Sequence, residues 1–300
     1  MSFASRGEGS AAKGRGLRDL VLCADDFGLA DDIDEAILAL IEAGRLTATG
    51  CMVGGEAFER DASRLAPLAD RADIGLHFTL TELTPLGSMP TFAPGGRPQR
   101  LGSVLARALT GRLVYAEIKA EIGRQVGRFR EVFGRSPDFF DGHQHVHVLP
   151  VVRAALFDSF DDGTLDPAAT WVRDCHEPAA TIVRRGIEVP KTLFVSMLSA
   201  GMARRARARG IRVNDGFRGV TAFATDQSYR ANFRRFLDGA GARPLAMCHP
   251  AMPGGRGAPG DEIVGARHDE WAYFSGDAFP ADLAAAGVRL RRMRDCAAPA

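Results

Sequence analysis

The chain has little of what ties a protein to a membrane, a nucleic acid or an oxidising compartment. Its five cysteines, Cys23, Cys51, Cys175, Cys248 and Cys296, are odd in number, widely scattered and without a CxxC pair. That pattern argues against a disulfide framework or a cysteine-based zinc site and fits a reducing cytoplasm. No run of apolar residues approaches the ~18 needed to span a bilayer. The formal net charge is only +1, with 38 basic and 37 acidic side chains, so nothing draws the whole chain to nucleic acid or an anionic membrane. The arginines concentrate locally, as in Arg204, Arg205, Arg207 and Arg209. That run reads as a solvated helix face. Residues 1–17 lack an apolar stretch after Met1 and are polar, basic and rich in Gly, Ser and Ala, so they are expected to be a disordered leader and not a secretory signal.

The 300 residues are 46% hydrophobic, enough for a large core. An α/β barrel fills ~250 residues as one domain. The run Leu20–Ala24 is short, continuous and apolar, as suits a strand buried on both faces of a parallel sheet. Helical spacing follows in Ile33, Ala36, Ile37, Leu40 and Ile41, with Gly44 placed to stop that helix. Thr47–Val53 and Ile74–Leu80 read as strands around a helix at Phe58–Leu68. Residues 84–103 are rich in Pro and Gly and read as a long loop of the kind that serves function. Val114–Phe133 carries the apolar spacing of a long amphipathic helix. Further strands are expected at Asp138–His145, Thr170–Arg173, Lys191–Val195, Val220–Ala224, Leu245–Cys248 and Val288–Leu290, with a helix at Pro150–Phe160. Alternating strands and helices imply parallel βα units. With no composition shift and no internal repeat, a single α/β domain is the simplest organisation.

Three segments end expected strands with side chains able to bind a metal: Asp25-Asp26, His77, and Asp141-Gly142-His143-Gln144-His145-Val146-His147. Functional groups of parallel α/β folds gather at the carboxyl ends of strands, so the three segments could meet in one pocket. Each has a plainer explanation alone. The Asp pair could cap the next helix, and a lone His in an apolar stretch is often a hydrogen-bonded core residue. The third segment is harder to dismiss. If extended, Asp141, His143, His145 and His147 share one face of a buried strand, which is costly without metal, protons or hydrogen bonds. Three of the seven histidines fall within these five residues. One carboxylate and two imidazoles with open positions is the general plan of a catalytic metal site. His249, before Pro250, ends another short apolar run and could act as a general acid, or could be a turn residue.

These pieces, Ala24-Asp25-Asp26-Phe27-Gly28, Gly75-Leu76-His77-Phe78-Thr79-Leu80-Thr81, the Asp141–His147 run and Cys248-His249-Pro250, resemble the YdjC-like carbohydrate deacetylase family in order and separation over residues 20 to about 255. The resemblance implies a distorted (β/α) barrel related to the NodB-type polysaccharide deacetylases, as one domain over 18–300. It implies a hydrolase that removes an acetyl group from an N-acetylated sugar, such as a chitooligosaccharide or a glycolipid head group. It also implies one divalent metal ion, Mg2+ or Zn2+, and relatives of this kind suggest a homodimer. Carried over, Asp26 is the metal carboxylate and His77 and His143 are the imidazole ligands. Asp25 is the general base on the attacking water, and His249 protonates the departing amine. Asp25 and Asp26 could exchange roles, being adjacent carboxylates. Asp141 is expected to orient an imidazole, while His145, His147 and Arg173 support the site or contact substrate. Magnesium is usual for the family, although two imidazoles suit zinc or another borderline ion better.

The loop 84–103, the segment Asp215–Val220, Trp171 and Trp271 are further candidates for sugar contact. One rival is another metal-dependent amidohydrolase or phosphoesterase; such enzymes carry His-x-His early, whereas here the Asp pair comes first. A second rival is a carbohydrate-binding relative without turnover. Binding alone would not need both Asp25 and Asp26.

Overall fold

The computed structural model describes residues 17–225, 229–239, 241 and 243–296. The leader expected over 1–17 therefore lies, apart from Leu17, outside the described residues. In chain order the elements are β1 (Arg18–Phe27), α1 (Asp31–Glu42), β2 (Ala48–Cys51), α2 (Phe58–Leu65), β3 (Asp73–Phe78), α3 (Leu101–Leu109) and α4 (Tyr115–Phe133). There follow β4 (Phe139–Gly142), α5 (Pro150–Asp161), β5 (Trp171–Val172), α6 (Ala179–Arg185), α7 (Val189–Leu198), α8 (Met202–Arg207) and β6 (Phe217–Arg218). The last are α9 (Tyr229–Leu237), β7 (Leu245–Cys248), α10 (Val264–Ser275), α11 (Ala278–Ala286) and β8 (Val288–Leu290).

All the strand pairs are parallel, in the order β5-β4-β3-β2-β1-β7-β6, with β8 paired to the start of β1 at Arg18–Leu20. A single bridge between Val172 and Val213 links β5 to the segment that leads into β6, so the sheet curls into a distorted barrel. β1 is central, and every residue from Leu20 to Phe27 is buried, which accounts for its unbroken apolar run. Alternate residues divide between two cores. Leu20, Leu22 and Ala24 join Ile37, Ile74, Phe129 and Phe274 under the outer helices. Val21 and Cys23 join Ala48, Phe139, Trp171, Phe217 and Met247, from β2, β4, β5, β6 and β7, in the barrel interior. Among the described residues no helix is long and apolar enough to cross a membrane.

The structure corrects two of the expected strands. Lys191–Val195 lies inside helix α7. Its short apolar run reads equally well as strand or buried helix, and Pro190 in the first turn suits a helix start. The strand expected at Val220–Ala224 comes earlier, as β6. Gly219, at φ 107°, turns the chain away where a Cβ would stand 2.3 Å from the Met247 carbonyl oxygen, so no other residue fits there. Residues 84–103 do form a long connection, with α3 beginning at Leu101. Carboxylates of α4 hold it. Glu121 accepts the Leu86 N–H at 2.9 Å, and Glu117 accepts those of Thr91 and Phe92 at 2.9 and 2.8 Å. Arg204, Arg205 and Arg207 of α8 face solvent as expected, and Arg209, just beyond it, is half-buried and paired to Asp161.

Asp34 in α1 is fully buried, and its Oδ1 accepts the Gly28 N–H at 2.6 Å. Burial above all, helped by the neighbouring Asp61 carboxylate, pushes its carboxyl up to about 8 in spite of that hydrogen bond. The folded protein thus keeps a proton that the unfolded chain releases near ~4, and stability is lost as pH rises between those values. In urea titrations at pH 5 and pH 8, Asp34→Asn is expected to remove part of the wild-type loss. Each pH unit of the window contributes at most about 1.4 kcal/mol. An unchanged difference between the two pH values would mean that Asp34 folds as a carboxylate.

Candidate metal centre

The carboxyl ends of β1, β3 and β4 deliver the side chains expected there to one place. Neighbouring residues of a strand normally face opposite sides of a sheet, so Asp25 and Asp26 would diverge in a regular β1. They do not, because the pairing with β2 slips between Ala24 and Phe27 and Asp26 takes φ 73°. Both carboxylates are consequently buried at the same end of the barrel. β3 and β4 are in register with His77 opposite Asp141.

Asp26 Oδ1 lies 3.0 Å from His143 Nδ1 and 3.5 Å from His77 Nε2. One ligand atom from each of these three buried residues falls within 4.8 Å of the others. Asp141 Oδ1 holds the far nitrogen of His77, Nδ1, at 2.6 Å. Burial opposes a charge on His77, but the Asp141 and Asp25 carboxylates outweigh it and lift the ring to about 10. His143 rises in the same way to about 9, burial being outweighed by Asp26. Asp26, against its own burial, is held well below the usual carboxylate range by Arg267 and His143. One carboxylate and two imidazoles, buried and converging, form a donor set that suits a divalent cation of the borderline kind.

Asp25 belongs to an adjoining cluster. Arg173, fully buried, grips its two oxygens at 2.6 and 2.7 Å and reaches Asp141 Oδ2 at 2.7 Å and Cys23 Sγ at 3.1 Å. Cys23, Asp25 and Asp141 also lie close enough to one another to hold an ion. The guanidinium already sits among them as their cation, and burial pushes the Cys23 thiol well up, so it stays protonated. Arg173 is walled in by these groups and is not open to a sugar. His249 Nε2 stands 3.9 Å from Asp25 Oδ2. Burial lowers this ring to about 4, leaving a neutral imidazole.

The run after β4 is not extended. Residues His143–Val148 form a tight 3-10 turn with Gln144 and His145 at φ 51° and 61°. The three histidines therefore diverge. His143 faces Asp26, the buried His147 places Nε2 3.1 Å from the Arg173 carbonyl, and His145 packs edge-on to Phe217 at 5.3 Å. Gly142 permits the fold-back, since a Cβ there would meet the His147 nitrogen at 2.9 Å. Burial lowers both His147, to about 4, and His145. Trp171 is also corrected as a sugar contact. It is buried in the barrel, stacked on Phe139 at 4.4 Å with its N–H on Asp73 at the start of β3. Within Asp215–Val220, Asp215 pairs with Arg207 and Arg243, and the Phe217 ring lies 5.9 Å from the Arg173 guanidinium.

Several neighbours escaped the sequence reading. Arg267 of α10 donates to Asp26 Oδ2 at 2.7 Å, and Glu270 of the same helix accepts the His249 N–H. Burial pushes the Glu270 carboxyl up to about 8. Glu82 reaches His143 Nε2 at 2.9 Å and Gln144 Nε2 at 2.5 Å. Of these only Glu82 had a local signal, as a carboxylate directly after the His77–Thr81 strand end. Phe223 lies edge-on to His249 at 5.2 Å. Six non-glycine residues have positive φ among those described, and all but Glu188 (Asp26, Glu82, Gln144, His145 and Phe223) stand at or beside this site. Strain of this kind persists only where the surrounding structure enforces it, and it concentrates at functional sites.

Residues 19–285 match the family model described as YdjC-like protein. The chain belongs to this family. Among curated relatives, a carbohydrate deacetylase of Homo sapiens is 31% identical over 310 aligned positions, covering 92% of this chain and 90% of that protein. A chitooligosaccharide deacetylase of Escherichia fergusonii is 38% identical over 136 residues, which is 45% of this chain and about half, 52%, of that protein. A crystal structure from Enterococcus faecalis V583 superposes with a TM-score of 0.67 at 18% identity, covering 93% of this chain and 98% of the other. The YdjC-like family match includes every residue of the cluster above.

Proposed function

We propose that this YdjC-like chain is a metal-dependent N-deacetylase of N-acetylated sugars, with chitin-type oligosaccharides or a glycolipid head group as substrate. The observation that carries the reading is the division of labour between adjacent carboxylates: Asp26 faces both imidazoles, while Asp25 is held apart by Arg173. The names of the human and Escherichia fergusonii relatives favour the same chemistry.

Asp26, His77 and His143 would hold the ion. A divalent ion there lowers the pKa of a water molecule and polarises an amide carbonyl. Asp25 is the proton acceptor. Arg173, against burial, keeps it well below the usual carboxylate range and hence ionised. A carboxylate so paired is a weak base, which makes its hold on the proton brief. His249 stands within 3.9 Å as a neutral ring of higher basicity. Asp25 would take the proton of the attacking water, and His249, 3.9 Å from it, would carry a proton to the departing amine. Arg173 and Asp141 keep Asp25 and His77 in place throughout.

The test is acetate release from N-acetylglucosamine oligosaccharides by metal-stripped protein resupplied in turn with magnesium, zinc, manganese or cobalt. Release that depends on the ion is the expected result. Stoichiometric ion binding without release from oligosaccharides or glycolipid head groups would overturn the deacetylase reading and leave the non-enzymatic one.

A further inference from the structure

Each imidazole that faces Asp26 has a carboxylate behind it. Asp141 occupies Nδ1 of His77 and leaves Nε2 toward Asp26. On His143 the arrangement is reversed: Glu82 Oε2 occupies Nε2 at 2.9 Å and leaves Nδ1 toward Asp26. An ionised carboxylate only accepts hydrogen bonds, so the nitrogen it faces carries the proton. We propose that Glu82 is a positioning residue for the metal centre: it keeps the proton on Nε2 of His143 and turns the ring so that Nδ1, facing Asp26, is the nitrogen an ion would take in place of its proton. This rests on the metal-dependent reading above.

The two nitrogens of an imidazole look to opposite sides of the ring. Glu82 therefore orients His143 and does not itself join the ion that Nδ1 would bind. Its position is built in. Glu82 holds φ 65°, its N–H bonds the Gln99 carbonyl at 3.0 Å, and its other carboxylate oxygen takes the Gln144 side chain at 2.5 Å. Gln144 follows His143 directly and is itself left-handed, at φ 51°. One carboxylate thus spans the ring and the residue next to it. Asp141 is sealed in the barrel, whereas the Glu82 side chain is 50% exposed. The support on the His143 side accordingly sits on the rim, on the chain that runs into the 84–103 connection.

Carboxylates that orient ligand histidines typically contribute 10–100-fold to metal affinity. The experiment is calorimetric titration of metal-free protein with Zn2+, with thermal melting of each metal-free variant alongside. Glu82→Ala is expected to bind Zn2+ about 10–100-fold more weakly than wild type. Glu82→Gln, which keeps an acceptor oxygen for the ring N–H, should fall between the two. Metal-free melting should be unchanged in both, since the backbone bond to Gln99 does not use the side chain. Affinity of Glu82→Ala within threefold of wild type would overturn the proposal, as would a loss that merely follows a lowered melting temperature. If wild type itself binds none of Zn2+, Mg2+, Mn2+ and Co2+ in the same titration, the metal reading fails and takes this proposal with it; weak binding by the variants alone cannot be mistaken for that result.

Discussion

Asp25→Asn is expected to lower kcat for acetate release by about 10²–10⁴-fold, the usual contribution of a positioned general base, while affinity for the divalent ion stays within a few-fold. The expectation follows from where Asp25 is held. Its oxygens are gripped by Arg173 and it faces His249, whereas the imidazoles of His77 and His143 face Asp26. An amide has the shape of the carboxylate but cannot take up a proton, so chemistry should fail where binding of the ion does not. Steady-state kinetics and ion titration on the same preparation check this. A variant that kept more than a tenth of its turnover would remove Asp25 from the role. A variant that lost the ion instead would exchange the parts of Asp25 and Asp26.

Arg173→Met is expected to destabilise the fold by about 3–5 kcal/mol, the cost of leaving buried charges without their partner. The guanidinium is fully buried and shared between Asp25 and Asp141, with Cys23 against it. Methionine has a similar volume but leaves two carboxylates facing each other in a dry interior. That is a large part of the 5–15 kcal/mol by which folded domains are usually stable. Arg173→Lys should fall between, since an ammonium keeps the charge and loses the fork that meets both carboxylates. Urea titration measures all three proteins. Removing both charges in Asp25→Asn/Arg173→Met should cost less than the sum of the single changes, because the two residues are in contact. An Arg173→Met protein within 1 kcal/mol of wild type would mean that Asp25 and Asp141 are compensated by something other than Arg173.

The sequence disclosed most of the sheet and the centre of the site, for reasons that are local. β1 and β7 are short apolar runs that end in polar side chains, which strands buried on both faces produce directly. The Asp25-Asp26, His77 and His143 positions were visible because each ends such a run. What failed depends on backbone angles or on distance along the chain. The alternation from Asp141 to His147 is the same whether the chain is extended or folded back, and nothing in Gln144 or His145 announces a positive φ. The α7 run, Lys191-Thr192-Leu193-Phe194-Val195, is too short for its period to tell helix from strand. Arg267 reaches Asp26 across 241 residues from within an ordinary helix, a pairing only the closed barrel creates.

The pairing of β1 has a consequence for how the protein is made. β1 carries both carboxylates, yet only β2 follows it closely; its other partners, β7 and β8, begin at Leu245 and Val288. As the chain leaves the ribosome, one edge of the strand that bears Asp25 and Asp26 has no hydrogen-bonding neighbour for more than two hundred residues. Such an edge is a template for pairing with another chain, and long-range parallel pairing is slow to form. Until β7 and β8 are made, that edge of β1, the strand that carries Asp25 and Asp26, lacks the neighbours it has in the finished sheet.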